Sequence, residues 1–314
     1  STGSLEIGQL VAFMDYLFHA MFSIMLFCTV FMMYPRAEVS AKRIEEVFNL
    51  DPIIKNKPAD SDFDEKVSIE FDHVTFVYPD GEEPVLQDVS FKANKGEMIA
   101  FIGSTGSGKS TLVNLVPRFY DVSSGSIKIN GKDIRDYDVL ELRDKLGVIP
   151  QKAVLFSGTI ADNIRFGKKD ASDEEVEYAA KVAQAYPFIM EKENGFDEEI
   201  SEGATNVSGG QKQRLSIARA LVRKAQIYIF DDSFSALDFK TDAILRKELK
   251  KEMTESIMLV VAQRISSIME ADQIIVLNEG KVVGKGTHHQ LLKECQIYHE
   301  IATSQLSEEE LANA

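Results

Sequence analysis

The chain has 314 residues, and its 50 acidic side chains outnumber its 35 basic ones to give a formal net charge of −15. This balance excludes nucleic-acid binding through a broad basic surface, while two cysteines, Cys28 and Cys295, exclude a disulfide framework and favour a reducing compartment. At roughly 150 residues per domain the length predicts two domains, and 44% hydrophobic residues suffice for a buried core.

Residues 10–34 form the first distinctive segment, LVAFMDYLFHAMFSIMLFCTVFMMY. As an α-helix it would extend roughly 37 Å, which exceeds the hydrocarbon core of a bilayer at about 30 Å. A secretory signal peptide fits less well, because the segment is too long and lacks a basic N-terminal flank. The pattern favours a transmembrane helix within 1–35, and the alternative is a buried helix of a soluble protein.

The basic residues orient this helix in a membrane. No Lys or Arg precedes residue 36, whereas Arg36, Lys42 and Arg43 follow closely. Because cytoplasmic flanks carry the excess of Lys and Arg, we expect the chain after Pro35 to be cytoplasmic and the protein to lie in the cell membrane.

Three polar residues of the segment, Asp15, His19 and Ser23, are spaced four apart and share one helix face. Such a face either packs against neighbouring helices or lines a transport pathway. One helix cannot enclose a pathway, so we expect partner helices outside this chain. Together with the first residue, Ser1, this predicts that the chain is a fragment of a longer subunit.

The next segment, 36–66, is predicted to be a cytosolic helical extension followed by a linker. RAEVSAKRIEEVFNL favours a polar helix, and DPIIKNKPADSDFDEK is acidic and contains proline. A domain boundary near residue 60 follows. From residue 67 onward, VSIEFDHVTFVY and VLQDVSFKAN alternate as strands do and predict a small antiparallel sheet.

A phosphate-binding motif begins at residue 103. The apolar run MIAFI at 98–102 suits a buried parallel strand, and a helix-favouring segment follows the motif. Strand, G-x-x-x-x-G-K-[ST] and helix together indicate a P-loop, in which backbone N–H groups surround phosphate oxygens. The motif comprises Gly103, Ser104, Thr105, Gly106, Ser107, Gly108, Lys109, Ser110 and Thr111. Lys109 is expected to reach the β- and γ-phosphates, and the Ser110 hydroxyl to ligate Mg²⁺.

A second apolar run, IYIFDD at 227–232, ends in two aspartates. Beside a P-loop, an acidic residue at the carboxyl end of a strand is typical of a Mg²⁺-coordinating carboxylate. We assign this role to Asp231. In isolation, a solvated aspartate at a strand end would be the simpler interpretation.

The segment NVSGGQKQRLSIARALV at 206–222 resembles the signature motif of ATP-binding cassette (ABC) ATPases. Further motifs follow the order of that family: Tyr78 matches the aromatic residue that stacks on adenine, Gln151 the Q-loop, and Asp238 the end of the D-loop SALD. The resemblance covers about 67–303, and the preceding helix is similar to the last transmembrane helix of an exporter subunit.

The resemblance implies an α/β fold of the P-loop NTPase, ABC type. A RecA-like core, an antiparallel β subdomain and a helical signature subdomain at about 157–215 would form one nucleotide-binding domain, 67–305, between the transmembrane helix and an acidic tail, 306–314. ATP and Mg²⁺ are the implied ligands. Gln151 would touch Mg²⁺ and the attacking water.

In such ATPases two cassettes meet head to tail, so the signature of one chain completes the ATP site of the other. An anion site at a helix N-terminus suits this role. The residues Ser208, Gly209, Gly210 and Gln211 are therefore expected to bind the partner's ATP.

Two positions depart from the family pattern. Asp232 stands where the family places a catalytic glutamate, and Gln263 stands where it places a histidine that contacts the γ-phosphate. The carboxylate is one methylene short, and an amide cannot carry the charge of an imidazolium, so transition-state stabilisation should fall.

Paired changes of this kind resemble the degenerate chain of a heterodimeric ABC exporter. The implied partners are a second half-transporter subunit, the membrane and a transported substrate whose class one helix does not specify. The alternatives are a soluble ABC ATPase and a regulatory nucleotide-binding subunit. His288 and His289, which lack a ligand cluster, are interpreted as part of a surface turn before a helix.

Overall fold

The architecture is taken from a computed structural model, which describes residues 6–58 and 67–306. The chain divides into two compact units, Ser1–Lys55 and Asn56–Ala314. This division falls within the predicted linker, whereas the finer domain bounds stay a prediction. Residues 307–314 of the predicted acidic tail lie outside the described residues.

The described part of the first unit is dominated by one helix, α1, Ile7–Phe48. Its apolar side chains are exposed, with Phe22 at 56% and Phe31 at 73% of their full accessible surface. The helix is long and apolar enough to cross a membrane. It continues through Pro35 into the polar segment, so the apolar segment and the first part of the predicted extension form one continuous element.

Two side chains on the polar face of α1 bond to the preceding turn of the helix. His19 Nδ1 lies 2.9 Å from the carbonyl oxygen of Asp15, and Ser23 Oγ donates to the carbonyl oxygen of His19 over 2.8 Å. Bonds to the preceding turn lower the cost of placing these groups among apolar side chains.

The described part of the second unit alternates strands and helices. Its helices are α2 Lys109–Leu115, α3 Val139–Asp144, α4 Ile160–Arg165, α5 Asp173–Val182, α6 Tyr186–Met190, α7 Gly209–Leu221, α8 Phe239–Glu252, α9 His288–Glu294 and α10 Gln296–Gln305. Its strands are β1 Ser68–Phe76, β2 Leu86–Asn94, β3 Met98–Gly103, β4 Ser124–Ile129, β5 Lys132–Asp133, β6 Leu146–Ile149, β7 Gly158–Thr159, β8 Glu199–Ile200, β9 Ile227–Asp231, β10 Ile257–Val261, β11 Gln273–Asn278 and β12 Lys281–Gly286.

A six-stranded sheet in the order β12-β11-β3-β10-β9-β6 forms the centre of this unit. Its strands pair in parallel, except for the antiparallel edge strand β12. The register sets Val261 opposite both Phe101 and Asp231. The carboxyl ends of β3, β9 and β10 therefore meet at one edge of the sheet. The phosphate loop starts at this edge, and Asp231 and Asp232 lie there.

Two apolar cores cover the faces of the parallel sheet. On one face, Phe101 and Ile229 pack with side chains of α2 and of an antiparallel sheet in the order β2-β1-β4-β5. On the other face, Phe230 and Val260 pack against the helices that include α5 and α7. This alternation along each strand follows the two-residue period of side chains.

Helices α4 to α7 form the helical part between β6 and β9. Capping side chains set the starts of three of these helices: Thr159, Ser172 and Ser208 each accept a hydrogen bond from the third helical N–H of α4, α5 and α7. Such boxes fix where a short helix begins. The parallel P-loop core, the antiparallel sheet and the helical part confirm the predicted fold class.

Candidate nucleotide site

The phosphate loop connects β3 to α2 at the carboxyl edge of the sheet. Gly108 has a left-handed φ of +96°, and a Cβ there would lie 2.8 Å from Leu86 Cδ2. At Gly103 a Cβ would lie 2.0 Å from the carbonyl oxygen of Leu277. Gly106, with φ +83°, faces open space. The loop is thus tightly packed at both ends and open between them, which fits a bound phosphate.

Lys109 begins α2 and folds its side chain into this loop. Its Nζ donates to the carbonyl oxygens of Gly103 at 2.9 Å and Ser104 at 2.7 Å, and lies 3.3 Å from Ser107 Oγ. Burial lowers the pKa of Lys109, and the nearby charges of Asp232 and Asp231 oppose this shift. The ammonium is therefore a partly desolvated cation, suited to an anionic ligand.

Asp231 ends β9 directly beside the start of α2. Ser110 Oγ donates to Asp231 Oδ1 over 2.8 Å. Burial raises the pKa of Asp231, while the Ser110 bond and the Lys109 charge lower it. A hydroxyl and a carboxylate whose negative charge is incompletely compensated form a donor set of hard oxygens, which fits Mg²⁺.

Asp232 follows in an unusual backbone conformation, with φ +49°, and is 7% exposed. Two glutamine amides converge on one of its carboxylate oxygens: Gln151 Nε2 donates to Oδ2 over 3.1 Å and Gln263 Nε2 over 2.6 Å. Burial raises the pKa of Asp232, and the Gln151 bond opposes this shift. The structure thus brings together the three residues predicted to be catalytic.

Lys109, Ser110 and Asp232 line a cavity of about 660 Å³, whereas Asp231 lies behind Ser110 and is not part of the cavity wall. Of the predicted residues, the cavity wall includes Gly103, Ser104, Thr105, Gly106, Gly108, Lys109, Ser110, Thr111, Gln151, Asp232 and Gln263. Ser107 is 2% exposed and points into the loop instead. The volume lies within the range of about 300–1,000 Å³ that is usual for small-molecule sites.

Tyr78 lies next to the phosphate loop without lining the cavity. Its hydroxyl is 2.9 Å from Thr111 Oγ1, and its ring packs edge-on against Phe76 and Tyr120 at centroid distances of 4.8 and 5.2 Å. This aromatic cluster holds the ring beside α2. Its predicted stacking on adenine stays a prediction.

The signature residues lie elsewhere. Ser208 and Gly209 are exposed at the start of α7, Gly210 is half-buried, and none of them lines the cavity. Ser208 Oγ accepts from the N–H of Gln211. Asp238 likewise caps a helix, since its Oδ1 accepts from the Thr241 N–H of α8 over 3.0 Å, a bond that lowers the pKa of Asp238. These residues do not complete the chain's own phosphate site.

Sequence reasoning missed one wall of the cavity, which is formed by Ile297, Glu300, Ile301, Ser304 and Gln305 of α10. The sequence of this helix contains none of the motifs that are typical of a nucleotide site.

The interpretation of His288 as part of a surface turn was wrong: His288 is 2% exposed, and its Nδ1 lies 2.7 Å from Tyr298 Oη. The packing of α9 against α10 buries it.

Comparison with known proteins agrees with this geometry. Residues 86–235 match the ABC transporter family. The chain is 41% identical over 309 residues to an uncharacterized ABC transporter ATP-binding protein of Mycobacterium bovis, covering 97% of this chain and 53% of that protein. The chain belongs to the ABC transporter family. It spans about half the length of the curated relatives it matches.

Two further similarities concern exporters. A putative multidrug export ATP-binding/permease protein of Staphylococcus aureus is 44% identical over 237 residues, which cover 76% of this chain and 41% of that protein. A structure of a bacterial Atm1-family ABC exporter with ATP bound matches with a TM-score of 0.89 and 33% identity, over 98% of this chain and 54% of the other. Exporter-type ABC proteins are thus similar to this chain in both sequence and fold.

Proposed function

We propose that this chain is the ATP-binding part of one subunit of an ABC exporter, that its own ATP site hydrolyses slowly, and that its signature completes the active site of a different subunit. The export function is supported by the similarity to the proteins described above and by the apolar helix α1. In this arrangement α1 lies in the cell membrane and the cassette in the cytoplasm. A soluble ABC ATPase would leave the exposed apolar surface of α1 unexplained.

The observation that carries the proposal of a slow site is the pair of amides on Asp232 Oδ2. Both amides occupy the oxygen that would accept a proton, and the Gln151 bond opposes the rise in the pKa of Asp232 that burial causes. The side chain is also one methylene shorter than the glutamate that the family uses. Both effects reduce its ability to take a proton from an attacking water.

Gln263 adds a second reason. Its Nε2 donates to Asp232 and is thereby directed at the carboxylate. A neutral amide supplies a hydrogen bond to developing negative charge, but it supplies no full positive charge. Lys109 and the loop N–H groups would bind and orient the phosphates of ATP. Mg²⁺, held by Ser110 and Asp231 with Gln151 nearby, would neutralise phosphate charge. The residues thus support binding better than turnover.

The signature supports the second half of the proposal. Ser208 and Gly209 are exposed, and their N–H groups lie at the start of α7, where the helix dipole favours an anion. A phosphate presented by another cassette could reach them. The signature of this chain is intact and its catalytic pair is altered. Such a chain contributes most to hydrolysis when its partner supplies an intact catalytic pair, which favours a heterodimer.

The test uses the transporter purified from native membranes through a tag on this chain. We expect Ser208→Ala to lower its ATP turnover by tenfold or more, since a hydrogen bond to a charged group contributes about 1.5–3 kcal/mol. The substitution also removes a helix cap. Ser172→Ala is the matched control, because Ser172 closes the same kind of capping box at the start of α5.

The two variants separate recognition from stability. Turnover that stays normal in Ser172→Ala and falls in Ser208→Ala supports a signature that acts on ATP. Equal losses in both variants would assign the effect to helix stability and contradict the proposal. A purified transporter that contains only copies of this chain would contradict the heterodimer.

A further inference from the structure

Helix α10, the last described helix of the domain, forms one wall of the nucleotide cavity. Its residues Ile297, Glu300, Ile301 and Ser304 face the same space as Lys109. Its final residue, Gln305, reaches the segment that carries Gln263. This contact belongs to none of the motifs found in the sequence.

The side chain of Gln305 forms hydrogen bonds with the backbone on both sides of Arg264. Its Nε2 donates to the carbonyl oxygen of Gln263 over 2.8 Å, and its Oε1 accepts from the N–H of Ile265 over 2.8 Å. One side-chain amide thus bonds to a backbone donor and a backbone acceptor of the same segment. Two such bonds fix both the position and the direction of the backbone, as a pair of neighbouring strands would.

The helix that carries Gln305 is itself firmly held. Tyr298 and Ala302 of α10 are fully buried. Tyr298 Oη lies 2.7 Å from Nδ1 of the buried His288 on α9. Tyr298 lies two turns before Gln305 on the same helix, so its buried contacts also fix the position of the Gln305 side chain.

The same segment reaches the candidate catalytic carboxylate. While the backbone of Gln263 accepts from Gln305, its side chain donates to Asp232 Oδ2 over 2.6 Å. A shift of the Gln263 backbone would therefore move the amide that holds Asp232. Contacts run without a gap from α10 through Gln305 and Gln263 to Asp232.

We propose that Gln305 is a positioning residue of the ATP site, which holds the backbone of Gln263 so that its side chain stays directed at Asp232 and the γ-phosphate. This inference rests on the proposed function of that site. It adds the C-terminal helix to the elements on which the site depends. A displacement of α10 would then change hydrolysis without any change in the phosphate loop.

The first arm of the test needs no nucleotide. Hydrogen–deuterium exchange of the Ile265 amide is measured in the purified full chain, in wild type, Gln305→Ala and Gln305→Glu. We expect Gln305→Ala to speed exchange about tenfold, the effect of losing one hydrogen bond. Gln305→Glu retains an oxygen acceptor and should keep most of the protection. Gln296→Ala is the control, because Gln296 lies on the same helix and bonds only to Glu300 in the described contacts.

The second arm measures single-turnover hydrolysis of MgATP with the chain in excess, which suits a slow site. Both Gln305 variants lose the donor to Gln263, so the rate constant should fall about tenfold. The protein concentration at half-maximal rate should change less than twofold, because the phosphate loop is untouched. If Gln305 acted on stability alone, the rate constant would fall equally in both Gln305 variants and in Gln296→Ala.

The outcomes separate this inference from the proposed function. An Ile265 amide that stays equally protected in Gln305→Ala overturns the positioning role, whatever the rate of hydrolysis. A rate constant that is unchanged in Gln305→Ala also overturns it. Fast hydrolysis by the wild-type chain, with the expected exchange, contradicts the slow site and leaves the contact of Gln305 with the 263–265 segment established.

Discussion

Replacing Lys109 by methionine is expected to weaken ATP binding by about a thousandfold, the equivalent of roughly 4 kcal/mol in charge-assisted hydrogen bonds to phosphate. The ammonium lies in the loop within 2.9 Å of the carbonyl oxygens of Gly103 and Ser104. Burial already lowers its pKa, so its charge is poorly solvated before any ligand arrives. Methionine keeps a long side chain and removes that charge. Equilibrium binding of radiolabelled ATP to the purified full chain provides the measurement.

The control for this substitution is Lys128→Met. Lys128 lies on β4 of the antiparallel sheet and pairs with Asp72 over 3.0 Å. Its removal changes the net charge by the same amount and should leave ATP affinity within twofold. Equal losses in both variants would mean that overall charge, and not the loop contact, determines binding. Unchanged affinity in Lys109→Met would place the nucleotide elsewhere.

Restoring the family residues at both departures, Asp232→Glu with Gln263→His, is expected to raise the ATP turnover of the purified chain about a hundredfold, the typical cost of misplacing a catalytic group by about 1 Å. Each single replacement should raise turnover much less. Gln263 Nε2 lies 2.6 Å from Asp232 Oδ2, so a longer carboxylate alone displaces this amide, and an imidazole alone meets a carboxylate that is too short. Residues in contact are expected to show such coupling.

The matched control makes the same two exchanges outside the cavity, as Asp144→Glu with Gln296→His. Asp144 pairs with Arg223 at the surface, and Gln296 bonds within its own helix. Turnover should stay at the wild-type rate. If the double replacement at 232 and 263 brings no gain, another residue limits hydrolysis. If the two single gains multiply to the double gain, the two sites act independently and the coupling is absent.

The phosphate loop was the part of the site most open to prediction from sequence. An apolar strand, a glycine-rich loop and a helix are adjacent along the chain, so their order fixes their geometry locally. The contact of Ser110 with Asp231 crosses 121 positions, yet it follows from the rule that parallel strands share one carboxyl edge. The fold class was predictable for the same reason.

Other parts depend on packing that no local pattern encodes. Gln305 and His288 have ordinary sequence surroundings, and their contacts arise only when α9 and α10 dock on the domain. The convergence of Gln151 and Gln263 on a single oxygen of Asp232 required side-chain geometry as well as position. In α1, proline would be expected to end the apolar helix, but the helix continues beyond Pro35 to Phe48.

The central claim is that this chain binds ATP well and hydrolyses it slowly at its own site, whereas fast turnover takes place at the site that its signature completes on another subunit. Its most direct test is the MgATP turnover of the purified full chain alone, compared per ATP site with the transporter isolated from native membranes. We predict a rate at least about fiftyfold lower for the chain alone, given the cost of a misplaced base. The variant restored at 232 and 263 serves as the control for assembly of the sites. Turnover of the wild-type chain alone that equals the rate of the isolated transporter would contradict the account.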